Sequence, residues 1–287
     1  MLSVFTSSQF LKNQVNGDSC ALYNRFTEQD VRIGTNVFFQ VHNRCISLIK
    51  IQNERILNPV LLKPVCFRYY WFMKITRYGV ILERLTTAHI EMVRQWRNDT
   101  KIAGFMFYKG EITRQMQSDW FASVDNEQNF FFIIHYKNKP VGLINISSID
   151  WENKTAYTGL FIYDDVCLGT DVPVSASLAM LDVFFMLFNV QMVYAKVKGN
   201  NRVAHNYNTA LGFTRTKKIE LGLGFEYMLQ KEIYLLEAKG LRNSAIHLKG
   251  NNTLIELDKN NPVDVWVRER IKKANKSVLK NLEVKIT

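Results

Sequence analysis

Cysteines and long apolar runs are scarce in this chain of 287 residues. Its four cysteines lie far apart and form no CxxC pair, which argues against a disulfide scaffold and against a zinc finger. The longest apolar candidate, residues 56–72, is interrupted by two prolines, a lysine and an arginine, so it falls short of the ~18–20 residues that span a bilayer. The first 14 residues lack the basic, apolar and small-residue order of a signal peptide. We therefore expect a cytoplasmic protein that binds no metal and no membrane.

The positive charge lies mostly outside the best-patterned part of the chain. The formal net charge is +11, of which residues 73–234 contribute +2, residues 1–72 +4 and residues 235–287 +5. A nucleic-acid-binding domain usually concentrates basic residues on its own folded face, so nucleic acid is not the expected partner. The basic run from Arg268 to Lys285 is predicted to be a solvated helix. A hydrophobic fraction of 47% excludes global disorder.

The sequence divides into three parts. Residues 1–72 show only isolated strand signals, at 31–33 and 37–41, with no turn chemistry to join them. At Met73 a strand followed by a helix start begins, so we interpret Met73 as the original start and residues 1–72 as an added or mis-annotated leader. Residues 73–234 are the patterned domain. Residues 235–287 are a basic extension, with a predicted strand at 253–257 and a predicted helix at about 263–282.

Hydrophobic periodicity predicts the elements of the patterned domain. The predicted strands are 80–85, 130–136, 140–148, 155–163, 192–198, 213–218 and 225–230. The predicted helices run from an N-cap at Thr86 or Thr87 to Asn98, from Thr113 through Val124, from about 173 to 188, and from 202 to 211. Antiparallel strands thus precede one strand–helix–strand crossover, which makes its two strands parallel. The predicted fold class is α/β (α+β), with a mixed, mainly antiparallel sheet and helices on both faces.

The order of these elements resembles the GNAT superfamily of acetyltransferases, from Met73 to about Gln230. The resemblance rests on these motifs: Trp96-Arg97-Asn98, Met106, Glu111-Ile112-Thr113, Pro140-Val141-Gly142-Leu143-Ile144, and Asn201 followed by Leu211-Gly212-Phe213. The first three are most similar to the branch that acetylates nucleotide-linked amino sugars, as in pseudaminic acid biosynthesis. They are also similar to the branch that acetylates the N-termini of ribosomal proteins. The resemblance implies that the two parallel strands splay apart at one end.

The resemblance implies acetyl-CoA as co-substrate, held between the two splayed strands. Backbone groups near Phe161, Ile162 and Tyr163 would bind the pantetheine amides. A free N–H near Leu160 or Phe161 would stabilise the oxyanion that forms on the thioester carbonyl. Asn201 would tie the start of the following helix to pantetheine, and a role as that helix's N-cap is the alternative.

The pyrophosphate is expected at the start of the helix near residue 173, where free N–H groups and the helix dipole favour an anion. Family members carry a basic, glycine-rich loop there, and this chain departs from that pattern. In one alignment Asp171 and Pro173 replace two loop glycines. In another, Gly169 and Thr170 end the loop and contact the cofactor, and in a third the segment is only a turn and an N-cap.

The charge of this loop is also unusual. No Lys or Arg lies between Asp164 and Asp182, and an aspartate beside a pyrophosphate is repulsive. Lys198 and Arg202 are the candidates for supplying the missing positive charge.

The acid and the base are left open. Family enzymes commonly place a tyrosine five residues before the Phe of Leu-Gly-Phe, a position that Asn208 occupies here; Tyr207 is one residue earlier, about 100° around a helix. Water is the alternative source of the proton. Four residues are candidates for deprotonating the amine, and no spacing selects among them: His135, Asp150, Glu152 and Tyr157. A dedicated base is not required where proximity supplies much of the rate.

The acceptor is expected on the segment that contains Trp96, Arg97, Asn98 and Tyr108. An aromatic face suits a sugar ring or a base, and Arg97 suits a phosphate, although a core role for Trp96 is the alternative. We therefore expect an acetyl-CoA-dependent N-acetyltransferase that acts on a small-molecule amino group, first of all on a nucleotide-linked amino sugar. A protein N-terminal amine and a non-catalytic GNAT-fold binding module are the alternatives. Members of the family often dimerise, so a homodimer is an option that the sequence leaves open.

Overall fold

The computed structural model describes residues 73–219, 223–274 and 281–287, together with five short strands between residues 32 and 66. The chain forms two compact units, Met1–Tyr69 and Tyr70–Thr287. In the first unit the described strands are β1 (Arg32–Ile33), β2 (Val37–His42), β3 (Cys45–Gln52), β4 (Arg55–Ile56) and β5 (Val65–Cys66), in antiparallel pairs. The interpretation of residues 1–72 as a leader falls mostly outside the described residues.

The second unit holds one sheet, eight described α-helices and the candidate site. Its strands are β6 (Lys74–Arg77), β7 (Val80–Arg84), β8 (Phe130–Tyr136), β9 (Lys139–Asp150), β10 (Thr155–Ile162), β11 (Met192–Lys198), β12 (Thr214–Ile219), β13 (Gly224–Gln230), β14 (Thr253–Leu257) and β15 (Leu282–Ile286). Its helices are α1 (Ile90–Asn98), α2 (Thr100–Ala103), α3 (Arg114–Val124), α4 (Val172–Asp182), α5 (Arg202–Ala210), α6 (Lys231–Glu237), α7 (Lys239–Lys249) and α8 (Pro262–Lys273). Among the described helices, none has the length and apolar character needed to cross a membrane.

The ten strands follow the order β12-β13-β11-β10-β9-β8-β7-β6-β14-β15. Two neighbouring pairs are parallel, β10 with β11 and β14 with β15, and every other pair is antiparallel. The predicted mixed and mainly antiparallel sheet is therefore confirmed. The strand predicted at 253–257 extends this sheet by pairing with β6, so the C-terminal residues are part of the second unit. The division of the chain at residues 72 and 234 stays a prediction.

Helices cover both faces of the sheet because the strands bury side chains on both. Ala156 and Ile162 of β10 belong to the large core, which also contains α4. Phe161 and Tyr163, with the opposite parity, pack on a smaller core with Val93 and Trp96 of α1. Alternate residues of β10 thus point to opposite faces of the sheet, which we call the α4 face and the α1 face after the helices that cover them.

Two predicted helix boundaries were wrong, and the helix predicted at about 173–188 changes its form before its end. The first helix begins at Ile90, and Thr86 instead accepts a hydrogen bond from the N–H of Ala88 at 3.3 Å. The long helix keeps its α-helical form only to Asp182 and continues as a wider π-type turn, Val183–Leu187. The basic helix predicted to end at residue 282 ends at Lys273, because residues 282–286 join the sheet edge as β15.

Helix α4 is buried almost all round, because the elements after Gln230 supply an outer layer. Asp182, at its end, is fully buried and forms an ion pair with Arg77 at 3.0 Å. The hydroxyls of Tyr78 and Tyr234 also donate to this carboxylate, each at 2.7 Å. Arg77 in turn donates to Thr253 of β14 and to Asn251 just before it. One buried carboxylate therefore joins the β6–β7 turn, α4 and α6, and through Arg77 it is linked to β14.

Replacing Asp182 is expected to be strongly destabilising. Asp182→Asn removes the charge that compensates the buried Arg77 guanidinium, and breaking such a pair costs about 3–5 kcal/mol. Asp165→Asn is the matched control, since Asp165 pairs with Lys101 on the surface, where a pair is worth about 0–1 kcal/mol. Urea unfolding of both variants measures the difference. Equal, small losses of unfolding free energy would contradict the role assigned to Asp182.

Candidate functional site

The parallel strands β10 and β11 pair over only half of their length. Their register runs from Thr155 opposite Met192 to Thr158 opposite Ala195, and no bridge between them follows among the described residues. Both strands continue, β10 to Ile162 and β11 to Lys198. The sheet therefore opens between them at its Ile162 end.

Each diverging strand stays bonded to its outer neighbour. β10 keeps its register with β9 up to Ile162 opposite Gly142, and β11 keeps its register with β13 up to Lys198 opposite Gly224. Glycine is required at both outer positions, because a Cβ would lie 2.4 Å from the carbonyl oxygen of Phe161 or 2.2 Å from that of Val197. These close approaches let the outer strands follow β10 and β11 as the two part.

Strand alternation decides which amides of β10 face the opening. The N–H of Tyr163 donates to Val141 of β9 at 2.8 Å, so the backbone of Tyr163 and of Phe161 faces β9. The N–H groups of Leu160 and Ile162 must then face the opposite side, towards the gap. Of the two amides considered for the oxyanion, the geometry thus favours Leu160 over Phe161.

The loop between β10 and α4 ends in the sequence Gly169-Thr170-Asp171. Gly169 has a φ of +75°, and the Thr170 hydroxyl donates to Cys167 at 2.7 Å and accepts from the N–H of Val172 at 3.3 Å. Helix α4 begins at Val172, and the side chain of Asp171 makes no capping hydrogen bond. These three residues therefore form the turn that leads into α4, and the assignment of Gly169 and Thr170 to the cofactor stays a prediction.

Helix α5 lies against the first turn of α4. Asn201 is its N-cap, because its side chain accepts from the N–H of Ala204 at 3.0 Å. The Tyr207 hydroxyl hydrogen bonds with the Pro173 carbonyl at 2.8 Å and the Ser177 hydroxyl at 2.7 Å, and burial raises the pKa of Tyr207. Tyr207 thus directs its hydroxyl at α4 and holds the two helices together.

The predicted acceptor residues lie on the α1 face, and several are already engaged. Trp96 is 6% exposed and stacks on Tyr163 with 5.1 Å between ring centroids. Arg97 donates to Gln117 at 3.1 Å. Asn98 donates to the carbonyl of Ile112 and accepts from its N–H, both at 2.9 Å, which fixes the end of the loop that follows α2.

The loop between α2 and α3 carries the exposed aromatic side chains of this face. Phe105, Phe107 and Tyr108 are 52%, 38% and 47% exposed. The loop reaches β11, because Lys198 donates to the carbonyl of Gly104 at 2.9 Å. Tyr108 is therefore the predicted acceptor residue that is most accessible.

A buried carboxylate that the sequence reasoning missed lies where β10 and β11 part. Glu226 of β13 is 5% exposed, and it accepts from the Tyr157 hydroxyl at 3.3 Å and pairs with Lys217 at 3.4 Å. The Lys196 ammonium lies 5.0 Å from the centre of the Tyr157 ring. A lone acid in the otherwise apolar run Gly-Phe-Glu-Tyr-Met-Leu was the only signal for it.

The other base candidates lie away from this point. His135 pairs with Glu83 of β7 at 3.0 Å, and Asp150 accepts from the Asn153 N–H at 2.8 Å and the Glu152 N–H at 3.0 Å in the β9–β10 turn. Of the four candidates, Tyr157 is therefore the one with its hydroxyl beside the diverging strands. No group of three His, Cys, Asp or Glu side chains in the described part of the chain is arranged to hold a metal ion.

The site suits an extended, amide-containing thioester followed by an anion. Two backbone N–H groups face the gap, as an added strand would require, and the start of α4 presents the positive end of a helix dipole to an anion. The N–H of Val172 is already used on Thr170, and Pro173 has none. The α4 face of the gap is filled by the large core, whereas the α1 face carries Tyr157, Glu226 and two lysines. An acceptor therefore has access from the α1 face.

Comparisons with known proteins found matches among solved structures and a matching family model. Among solved structures, a domain from Methanocaldococcus jannaschii shares 21% identity, covering 53% of this chain and 97% of that one with a TM-score of 0.45. A spermidine N-acetyltransferase from Vibrio cholerae, in complex with CoA and spermine, shares 15% identity over 55% of this chain and 98% of its own, with a TM-score of 0.49. No curated protein matches the sequence. The family model for the acetyltransferase (GNAT) domain matches residues 80–214.

Proposed function

We propose that the protein is an acetyl-CoA-dependent N-acetyltransferase that transfers the acetyl group directly to an amine carrying a negatively charged group. A nucleotide-linked amino sugar is the acceptor class that fits best. The observation that carries the proposal is the parting of β10 and β11 after Thr158, inside a domain that matches the acetyltransferase family.

On the donor side, the opened strand β10 provides the binding groups. The N–H of Ile162 would bond an amide of pantetheine, and the N–H of Leu160 would donate to the thioester carbonyl oxygen. That donor is fixed before the reaction, so it stabilises the negative charge that develops on the oxygen. Gly169 and Thr170 would lie beside the pyrophosphate at the start of α4, and Asn201 would order the start of α5.

The charge of the acceptor face favours an anion over a polyamine. Lys196 and Lys198 lie on the diverging half of β11, and Lys109 lies within hydrogen-bond reach of Lys198 and lowers the pKa of Lys198. The two nearby carboxylates already have partners. Glu226 is bonded to Lys217 and to Tyr157, and Asp99 accepts a hydrogen bond from Tyr163. A cationic acceptor would meet like charges here, whereas a phosphate would be attracted by the ammonium groups of Lys109, Lys196 and Lys198.

The aromatic loop favours an acceptor with a flat ring. Phe107 and Tyr108 are exposed on the segment that Lys198 fastens to β11. Aromatic side chains stack on nucleobases and on sugar rings, and the adjacent lysines would bind the phosphates of the same molecule. Trp96 and Asn98 would then act by positioning this segment, and Arg97 by supporting α3 through Gln117.

The pair Tyr157 and Glu226 supplies a route for the proton. The amine nitrogen forms a bond to the acetyl carbon, the carbon–sulfur bond breaks, and the proton of the amine passes through Tyr157 to Glu226 or directly to Glu226. The departing thiolate takes a proton from water, because Tyr207 donates its hydroxyl proton to Pro173 and Asn208 carries no acidic proton. The sequence alternative in which water is the acid is therefore the one that we propose.

Acetyl-CoA binding and an acceptor panel test the proposal. We expect acetyl-CoA to raise the Tm of the full chain, since a ligand that binds the native state stabilises it by RT ln(1 + [L]/Kd). We expect free thiol to be released with amino-sugar nucleotides as acceptors. The rate of that release is expected to fall as salt is added, because salt screens the attraction between the lysines and the phosphates. Faster turnover of spermidine or of a peptide N-terminus would contradict the acceptor class. Absence of acetyl-CoA binding would support a non-catalytic module instead.

Variants of Glu226 and Tyr207 separate chemistry from structure. Glu226→Gln keeps the shape of the side chain but cannot accept the proton, so kcat is expected to fall by about 100-fold, with a smaller change in the KM for acetyl-CoA. Tyr207→Phe removes one buried hydrogen bond and is expected to cost about 1 kcal/mol of unfolding free energy with little change in kcat. A large loss of kcat in Tyr207→Phe together with full activity of Glu226→Gln would contradict both assignments, Glu226 as the proton acceptor and Tyr207 as a structural residue.

A further inference from the structure

The loop that leads into α4 carries acidic residues where the proposed function places a pyrophosphate. Asp171 is the last residue before α4, and its side chain is about half exposed and makes no capping bond. A carboxylate at this position opposes the favourable potential of the helix start. The sequence offers no basic residue within the loop itself, so any compensating charge has to come from elsewhere in the fold.

That charge comes from the C-terminal region. The Lys249 ammonium lies 3.2 Å from the carboxylate of Asp171. Lys249 is the last residue of α7, which packs on the large core through Leu241, Ala245 and Ile246. Neither candidate from the sequence takes this position: Lys198 donates to Gly104 on the α1 face, and Arg202 opens α5.

The position of Lys249 is fixed from both sides. Its aliphatic chain crosses the β6–β7 turn at Gly79, where a Cβ would lie 3.2 Å from its Cδ and where φ is +75°. Two residues further on, Asn251 is held by Arg77, which is itself held by Asp182 at the far end of α4. The end of α7 and the residues that follow it are therefore attached to both ends of α4: Lys249 pairs with Asp171 at its start, and Asn251 is joined through Arg77 to Asp182 at its end.

We propose that Lys249 is a positioning residue of the acetyl-CoA site, and that it acts by neutralising Asp171 so that the start of α4 can accept the pyrophosphate. This inference rests on the proposed function. It makes the C-terminal region a functional part of the acetyltransferase, although the family match ends at residue 214. Because Asp171 and Lys249 are both partly exposed, their pair contributes little to stability, and its effect falls mainly on ligand affinity.

A double-mutant cycle of Asp171 and Lys249, with the Kd for acetyl-CoA measured by calorimetric titration of the full chain, tests this inference. Lys249→Ala is expected to raise the Kd for acetyl-CoA by about 2- to 5-fold, the effect of one charge at a helix end. Lys249→Arg keeps the charge and is expected to bind like the unmodified protein. Asp171→Asn removes the repulsion, so the double variant Asp171→Asn/Lys249→Ala is expected to bind as tightly as Asp171→Asn alone.

Two controls exclude a merely structural effect. Lys239→Ala makes the same charge change at the other end of α7, where the lysine is exposed, and is expected to leave the Kd unchanged. S-acetylpantetheine lacks the pyrophosphate, so its use as a donor should not distinguish Lys249→Ala from the unmodified protein.

The outcomes separate this inference from the proposed function. An unchanged Kd in Lys249→Ala, or a double variant as weak as Lys249→Ala, would overturn the role of Lys249 and leave the proposed function intact. No binding of acetyl-CoA by the unmodified protein would overturn both.

Discussion

The proposed acetyl-CoA site depends on a hydrogen-bond ladder that stops early. β10 and β11 share four register positions and then separate, while each remains bonded to its outer neighbour. Backbone N–H groups inside a sheet are almost always paired, so the amides of Leu160 and Ile162, which face the gap, need a partner from outside the protein. An extended amide-containing arm can provide that partner. The proposed binding groups are backbone atoms, and their position is therefore set by the fold more than by any one side chain.

The second requirement is a helix held firmly beside the gap. α4 is buried along most of its length and ends at Asp182, a carboxylate that accepts from one arginine and two tyrosines. That network includes residues on both sides of the family match, since Arg77 and Tyr234 both lie outside residues 80–214. The residues after Gln230 thus complete the layer that holds α4, and the compact unit that contains the matched segment extends beyond it on both sides.

Most of the fold followed from local pattern, and the parts that did not are long-range. Alternation and turn signals predicted Met192–Lys198 and Thr253–Leu257 at their observed bounds, and the crossover rule made β10 and β11 parallel. The point at which their pairing ends has no sequence signal, because both strands continue in the same pattern. Thr86 and Thr87 were plausible caps by residue type, but the helix start was decided at His89 by the packing of Val93 and Trp96.

The same division applies to the site. The resemblance predicted cofactor contacts near Leu160 and at Gly169 because these are local stretches, and those contacts stay predictions. Glu226 and Lys249 were missed because their importance comes from partners 69 and 78 positions away, Tyr157 and Asp171. Asn98 was predicted to bind the acceptor, whereas its side-chain amide forms two hydrogen bonds with the backbone of Ile112.

Residue-resolved hydrogen exchange of the full chain, with and without acetyl-CoA, tests the central claim most directly. The account predicts that saturating acetyl-CoA slows exchange of the Leu160 and Ile162 amides, while the amides of Phe161 and Tyr163, bonded to β9, change little. Binding of acetyl-CoA that leaves the exchange of Leu160 and Ile162 unaltered would contradict it.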